Sequence, residues 1–278
     1  MKAPFSVLMS LYIKEKPEYF RECMDSILAS TTLPGEIVIV KDGPLTDELE
    51  RVLSDYVIRA PEMYNVVKLE ENRGLGVALA NGILHAKNEL IARMDTDDIV
   101  RADRFDKQVR EFLQDSTLDV CGSWVAEFEK SPSNIVAIRK TPLTDCEIKR
   151  YQKRRDAFNH MSVMYKKSAV LRAGNYKDAP LMEDTLLWVY MIRSGAKCKN
   201  LDECLVYARV GEEMFARRGG ISYFKKYKEG RKMVRETGYI GFFDYYLSLF
   251  VQLVVALMPG RLRAWFFKNI LHGKGSEK

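Results

Sequence analysis

The stretch Leu90-Ile91-Ala92-Arg93-Met94-Asp95-Thr96-Asp97-Asp98 limits what this chain can fold into more than any other. A short apolar run bounded by polar residues reads as a buried strand. Aspartate is a poor strand former, so Asp95 to Asp98 are expected just past the strand end. In open α/β sheets the ligand crevice lies outside the carboxyl ends of the strands. Carboxylates crowded there repel one another unless a cation compensates them. Hard oxygen ligands suit Mg²⁺ or Mn²⁺. A solvated acidic turn, or the cap of a helix expected over Arg101 to Asp115, accounts for the same residues equally well, so the rest of the chain must decide.

The first hundred residues alternate strand and helix. Apolar runs at Phe5–Tyr12, Glu36–Lys41, Asn65–Leu69 and Leu90–Met94 predict strands. Helical spacing predicts helices over Pro17–Ser30, from Thr46, and over Gly76–Ala86. This rhythm predicts a parallel sheet with right-handed crossovers. Continuously apolar strands fit a sheet covered on both faces. Beyond Asp98 the alternation loosens. A hairpin is expected from Leu118–Phe128 and Ile135–Arg139, a polar helix over Thr144–Arg155 and a strand over Ser162–Tyr165. A turn of helix over Lys167–Ala173, an apolar helix over Met182–Ser194 and a last strand region over Cys198–Arg209 follow.

Five cysteines without a CxxC pair argue against a disulfide framework or a zinc site. Lys2 followed by the apolar run Phe5 to Ile13 superficially resembles a signal peptide. No small-residue cleavage site follows it, so it reads as the first strand. The net charge of +6 is unevenly placed. From Val210 to Lys278 there are 13 Lys/Arg against 6 Asp/Glu, so the positive excess lies in the last quarter. An anionic partner is expected for that segment.

Four features fall at strand ends or helix starts, where a sheet gathers side chains along one edge. Asp42 follows the second strand; as a carboxylate it can accept hydrogen bonds from a ribose or base, and as Asp before Gly-Pro it is a common turn former. Asn72-Arg73-Gly74 leads into Gly76 and a helix N-terminus, which favours a phosphate. It is not a dinucleotide fingerprint, because it follows the third strand and position 79 is Leu. The third feature is Asp95, Asp97 and Asp98. The fourth is Glu183-Asp184, heading an otherwise apolar helix, either as routine capping or as the seat of a general base.

In this order the motifs resemble those of the family 2 glycosyltransferases, inverting enzymes of the GT-A fold. The likeness runs from about Pro4 to Arg209 and includes Asn159-His160-Met161-Ser162-Val163-Met164-Tyr165 and Gly174-Asn175-Tyr176. Lys41-Asp42-Gly43-Pro44 narrows it to the bacterial enzymes that build O-antigen, capsule or exopolysaccharide. The resemblance implies a Rossmann-like mixed sheet flanked by helices, with a nucleotide-sugar half over about 1–100 and an acceptor half over about 101–210. Asp42 would hold the uracil or ribose of a UDP-sugar donor, with Asn72, Arg73 and Gly74 near its phosphates. Asp95 and Asp97 would bind Mn²⁺ or Mg²⁺, with Asp97 the more direct ligand. Asp184 would be the base, Glu183 would position the acceptor, and His160 would touch the diphosphate or be a buried structural histidine. Arg217 and Arg218, on a Gly-rich stretch, would close over the donor. The Gln-x-x-Arg-Trp motif of processive synthases is absent after Glu183-Asp184, so single addition is expected.

The remaining segment, 211–278, reads as a basic, amphipathic helical extension. From Tyr245 to Met258 there are 14 residues without a charge, short of the roughly 20 a membrane span needs. Arg261, Arg263 and Lys268 then surround Trp265, Phe266 and Phe267, which fits a helix lying in a membrane interface. The alternative is an amphipathic helix packed on the domain's own core. Anionic lipid at the cytoplasmic face of a bacterial inner membrane, with a polyprenyl-diphosphate-linked saccharide as acceptor, is the expected partner; nucleic acid is not. Two other functions compete. A sugar nucleotidyltransferase is expected to carry glycines after strand one, where Tyr12-Ile13-Lys14-Glu15-Lys16 has none. The other is a non-enzymatic basic module for nucleic acid, but the basic stretch is confined to the C-terminal quarter and is followed by an apolar run, which suits lipid better than an RNA groove.

Overall fold

The computed structural model describes residues 3–179, 181–211, 219–259 and 273–274. Strands β1 (Phe5–Leu11), β2 (Glu36–Lys41), β3 (Tyr64–Lys68) and β4 (Leu90–Arg93) alternate with helices α1 (Pro17–Leu28), α2 (Asp47–Arg59) and α3 (Leu75–His85). β1 pairs in parallel with β2 and with β4, and β2 with β3. The chain therefore moves outward from β1 to β3 and returns to β1's other side. That reversal is a topological switch point, and a crevice opens beyond the carboxyl ends of the two strands that flank it. Asp95 to Asp98 leave β4 at that crevice.

The second half adds β5 (Ile99–Val100), α4 (Arg104–Gln114), β6 (Val120–Phe128), β7 (Ile135–Arg139), α5 (Asp145–Tyr151), β8 (Met164–Lys166), α6 (Lys167–Arg172), α7 (Glu183–Arg193) and β9 (Cys198–Arg209). β8 joins β4 to β6 with antiparallel pairing on both sides. β6 and β7 form the expected hairpin. β9 runs parallel along β6 and pairs antiparallel with β5. The sheet is therefore mixed, as the family resemblance implied.

Two local differences from the sequence reading matter for the site. The helix expected from Arg101 begins at Arg104, because Ile99 and Val100 are drawn into a strand against Tyr207 and Val206. The polar helix expected to reach Arg155 stops at Tyr151. Its terminator is buried Gln152, whose side chain accepts from Ala157 N–H at 2.8 Å and donates to Asp156 Oδ1 at 3.1 Å. The chain from 152 to 157 is thereby folded into a turn.

Alternate residues of the central strands feed two cores. Val7, Met9, Ile37 and Ile39 pack with Phe20, Leu53 and Phe105 of α1, α2 and α4. Leu8, Val38, Val40 and Ile91 pack with Leu79, Ile83 and Trp188 of α3 and α7. This two-sided burial explains the unbroken apolar runs. The end of β4 is fixed from one side by buried Arg104, whose Nη2 donates to the carbonyls of Arg93 at 2.8 Å and Val163 at 3.2 Å.

Helices α8 (Gly220–Glu236) and α9 (Phe242–Leu257) follow, and a short β10 (Gly273–Lys274) pairs with β7. Val234, Ile240, Tyr245 and Leu249 share a core with Met182, Leu186 and Val189 at the start of α7. At about 1.5–3 kcal/mol for each large buried apolar side chain, this packing holds α9 on the start of α7 without help from lipid. The other side of α9 exposes Phe242, Phe243, Tyr246, Phe250, Val254 and Leu257, a stripe at helical spacing. Among the described residues no helix is long and apolar enough to cross a membrane. Trp265 and its cationic neighbours lie outside the described residues.

Candidate active site

The loop after β2 and the loop before α3 are bound to each other through Asp42. Its carboxylate accepts the backbone N–H groups of Arg73 at 2.7 Å and Gly74 at 3.0 Å. Asn72 donates back to the Asp42 carbonyl at 3.3 Å. Gly43 (φ 85°) can take no side chain, since a Cβ would lie 2.6 Å from the Asn72 nitrogen. The aspartate that reads as a ligand for ribose or base is thus also the residue that shapes the glycine loop. The Arg73 guanidinium is exposed, 4.0 Å from Glu71.

Asp95, Asp97 and Asp98 converge. One carboxylate oxygen from each lies within 4.8 Å of the other two. Burial, and then Asp95, raise the Asp97 pKa to about 6. Such a cluster strains against its own charge, and a divalent cation with oxygen ligands relieves that strain. The residues fit the ion the sequence implied. Asp98 has a further task. Its Oδ1 accepts the Arg209 N–H at 2.9 Å, which fastens the end of β9 to the cluster. It is not the cap of α4, where Asp103 stands.

Sequence reasoning missed Arg93. It sits at the end of β4, 2% exposed, and its Nη2 meets Asp95 Oδ1 at 2.5 Å. Its Nε and Nη1 have no hydrogen-bond partner among the described residues. The signal was present: a cation inside an apolar strand, two residues from an acid, demands pairing. Asp95 is therefore held by a buried guanidinium, whereas Asp97 has no such partner among the described residues and is the freer ligand.

A cavity of about 660 Å³ opens beside Asp95. Arg93, His160 and Asp184 line it on the sheet side, and Tyr227, Ser248 and Val251 of α8 and α9 line it opposite. His160 is buried, hydrogen-bonded to the Tyr176 hydroxyl at 2.9 Å and set edge-on to Trp188. Burial, and then the Arg93 charge, push its pKa well down, so it is neutral and built into the wall. Asp184 lies in the first turn of α7 and accepts the Thr185 N–H at 2.7 Å. Burial raises its pKa, and Asp156 and Glu183 add to the rise. Asp156, also missed in the sequence, accepts the Thr185 hydroxyl at 2.6 Å.

Glu183 lies toward the glycine loop. A Cβ on buried Gly76 would stand 2.6 Å from the Lys177 carbonyl and 3.0 Å from the Glu183 Cβ. α3 and α7 can approach this closely only with glycine there. Gly76→Ala is expected to cost about 1–3 kcal/mol of stability through overpacking and to weaken nucleotide binding, read by urea unfolding and by titration with UDP. Unchanged values for both would show that the contact relaxes freely. Arg217 and Arg218, expected to close over the donor, lie outside the described residues.

Asp95, His160 and Asp184 thus line one cavity, while Asp42 ties the Asn72-Arg73-Gly74 loop to the end of β2. Residues 6–174 match the family described as Glycosyl transferase family 2. The chain belongs to that family. It is a glycosyltransferase, and it is 41% identical over 267 residues to an uncharacterized glycosyltransferase of Haemophilus influenzae, covering 96% of this chain and 98% of that one. It is 33% identical over 270 residues, 96% of each chain, to the UDP-Gal:alpha-D-GlcNAc-diphosphoundecaprenol beta-1,3-galactosyltransferase of Escherichia coli. Among solved structures it resembles the mannosyltransferase PcManGT of Pyrobaculum calidifontis, solved in complex with GDP-Man and Mn²⁺. The TM-score is 0.62 at 18% identity, over 84% of this chain and 65% of that one, so the chain spans just under two thirds of that protein's length. The transferase has the GT-A fold.

Proposed function

We propose that the transferase moves a hexose, glucose or galactose, from a UDP-sugar to a polyprenyl-diphosphate-linked saccharide, with inversion and with Mn²⁺ or Mg²⁺. It would work at the cytoplasmic face of a bacterial inner membrane, held there peripherally by its C-terminal helices against anionic lipid. The observation that carries this reading is that Asp95 and Asp184 line one cavity. The likeness to a galactosyltransferase whose acceptor is a diphosphoundecaprenol-linked sugar supports the donor and acceptor classes.

In this mechanism residues 1–100 hold the donor. Asp42 orients the ribose or base while its carboxylate keeps the Asn72-Arg73-Gly74 loop beside the diphosphate. Asp97 and Asp95 would hold the cation, whose charge would offset that of the departing UDP. Arg93 keeps Asp95 in place. The acceptor hydroxyl lies in the cavity, where Asp184 takes its proton as the oxygen attacks the anomeric carbon. The bond from that carbon to the β-phosphate oxygen breaks on the opposite face. A raised carboxyl pKa brings the base closer to neutrality, which improves proton transfer. Glu183, against Gly76, keeps the base helix at the donor loop and positions the acceptor. Helices α8 and α9 cover the acceptor side through Tyr227, Ser248 and Val251.

The test is UDP release by the purified full chain with Mn²⁺ or Mg²⁺, a panel of UDP-hexoses, and N-acetylglucosamine linked through diphosphate to an undecyl chain. One UDP-hexose is expected to be consumed with a β-linked product. Release of pyrophosphate, or no sugar transfer with any donor, would refute the reading.

A further inference from the structure

We propose that Arg154 and Arg155 form the subsite for the acceptor's diphosphate, and that the attached lipid leaves along the exposed stripe of α9. The inference rests on the function proposed above. Both arginines line the same cavity as Asp184. They sit in the turn that Gln152 creates by ending α5 early. The next residue, Asp156, is hydrogen-bonded to Thr185, the neighbour of the base. The turn therefore leads from the base to the cavity mouth within two or three residues. A saccharide held at the base places its anomeric diphosphate about one sugar ring away, toward that mouth.

The C-terminal helices fix this turn. Buried Arg231 of α8 donates to the Lys153 carbonyl at 3.0 Å and to the Ser248 hydroxyl of α9 at 3.0 Å. Arg154 Nε donates to Asp244 at 2.7 Å, and its guanidinium lies 5.8 Å from the Phe243 ring centroid. Arg155 lies 5.7 Å from the Tyr151 ring centroid and pairs with no carboxylate among the described residues. One guanidinium is thus anchored at the start of the apolar stripe, and its neighbour is free to accept a new anion. Paired guanidinium groups match the geometry of phosphate oxygens. The apolar path is continuous: Val251 lines the cavity and is itself 50% exposed beside Phe250. A diphosphate bound at Arg154 and Arg155 therefore delivers its chain onto the outer face of α9.

The experiment is calorimetric titration of the full chain, saturated with UDP and Mn²⁺ so that the donor site is filled, with farnesyl diphosphate and with farnesol. The wild type is expected to bind the diphosphate at least about tenfold more tightly than the alcohol, as charge-assisted hydrogen bonds allow. Arg155→Ala is expected to reduce that ratio several-fold, and Arg155→Glu to abolish it. Arg155 is exposed, so neither change should alter the melting temperature; Arg154→Lys, which keeps the charge beside Asp244, should retain most of the preference. Equal binding of the two lipids, or a preference untouched in both Arg155 variants, would overturn the subsite. Arginine-dependent diphosphate binding in a protein that transfers no hexose would leave the subsite standing and remove the proposed reaction.

Discussion

Asp97→Asn is expected to lower metal-dependent hexose transfer by about 10³-fold or more, through loss of a cation ligand worth several kcal/mol of charge stabilisation. The change is nearly isosteric, and among the described residues Asp97 has no guanidinium partner of the kind that holds Asp95, so the fold should keep its stability. Asp95→Asn is expected to behave differently. It removes the counter-charge of Arg93, a guanidinium 2% exposed that pairs with no other carboxylate among the described residues. Leaving a buried charge uncompensated costs about 3–5 kcal/mol. The pair of variants thus separates two roles within one motif: Asp97→Asn loses Mn²⁺ binding and activity at an unchanged unfolding midpoint, while Asp95→Asn loses both along with stability. Manganese titration in the presence of UDP, with urea unfolding of the same samples, reads each effect. Full activity in Asp97→Asn would remove the metal site from the mechanism.

The difference between these two aspartates shows what sequence can and cannot reveal here. The parallel half was legible because β1 to β4 are unbroken apolar runs separated by amphipathic helices, a pattern that a two-sided sheet imposes. The acidic cluster was legible because aspartates cannot continue a strand. What their carboxylates do individually was not, since it depends on partners brought in by long-range pairing. Asp98 is drawn to Arg209 only when β9 lies against β5. Asp156 matters only because Gln152 ends α5 early and turns it toward Thr185. The C-terminal helix presented two readings, packed on the core or lying in an interface. In the fold one side of α9 is buried against α7 and the cavity while the other exposes its aromatic stripe. A 14-residue uncharged run has no marker that tells those sides apart.

Asp184→Asn is expected to lower kcat by about 10³- to 10⁴-fold while leaving UDP and Mn²⁺ binding intact, because general-base catalysis contributes on that scale. The binding readout distinguishes this loss from that of Asp97→Asn, in which metal affinity falls as well. The pH profile tests the same assignment without removing the group. Burial, Asp156 and Glu183 all raise the Asp184 pKa above the ordinary carboxylate range. Its active form is the deprotonated one, so kcat/KM should fall as pH drops through that raised value. Asp156→Asn removes a neighbouring negative charge yet keeps an oxygen to accept the Thr185 hydroxyl. Less repulsion makes Asp184 easier to ionise, so the acidic limb of kcat/KM should move to lower pH, the opposite of what added burial would do. At pH values above the limb the variant should turn over more slowly, because a weaker base accepts the acceptor's proton less readily. A limb that stays in place in Asp156→Asn would mean that the group titrating in the profile is not Asp184, and the base would have to be sought in Glu183, the other acid at the head of α7.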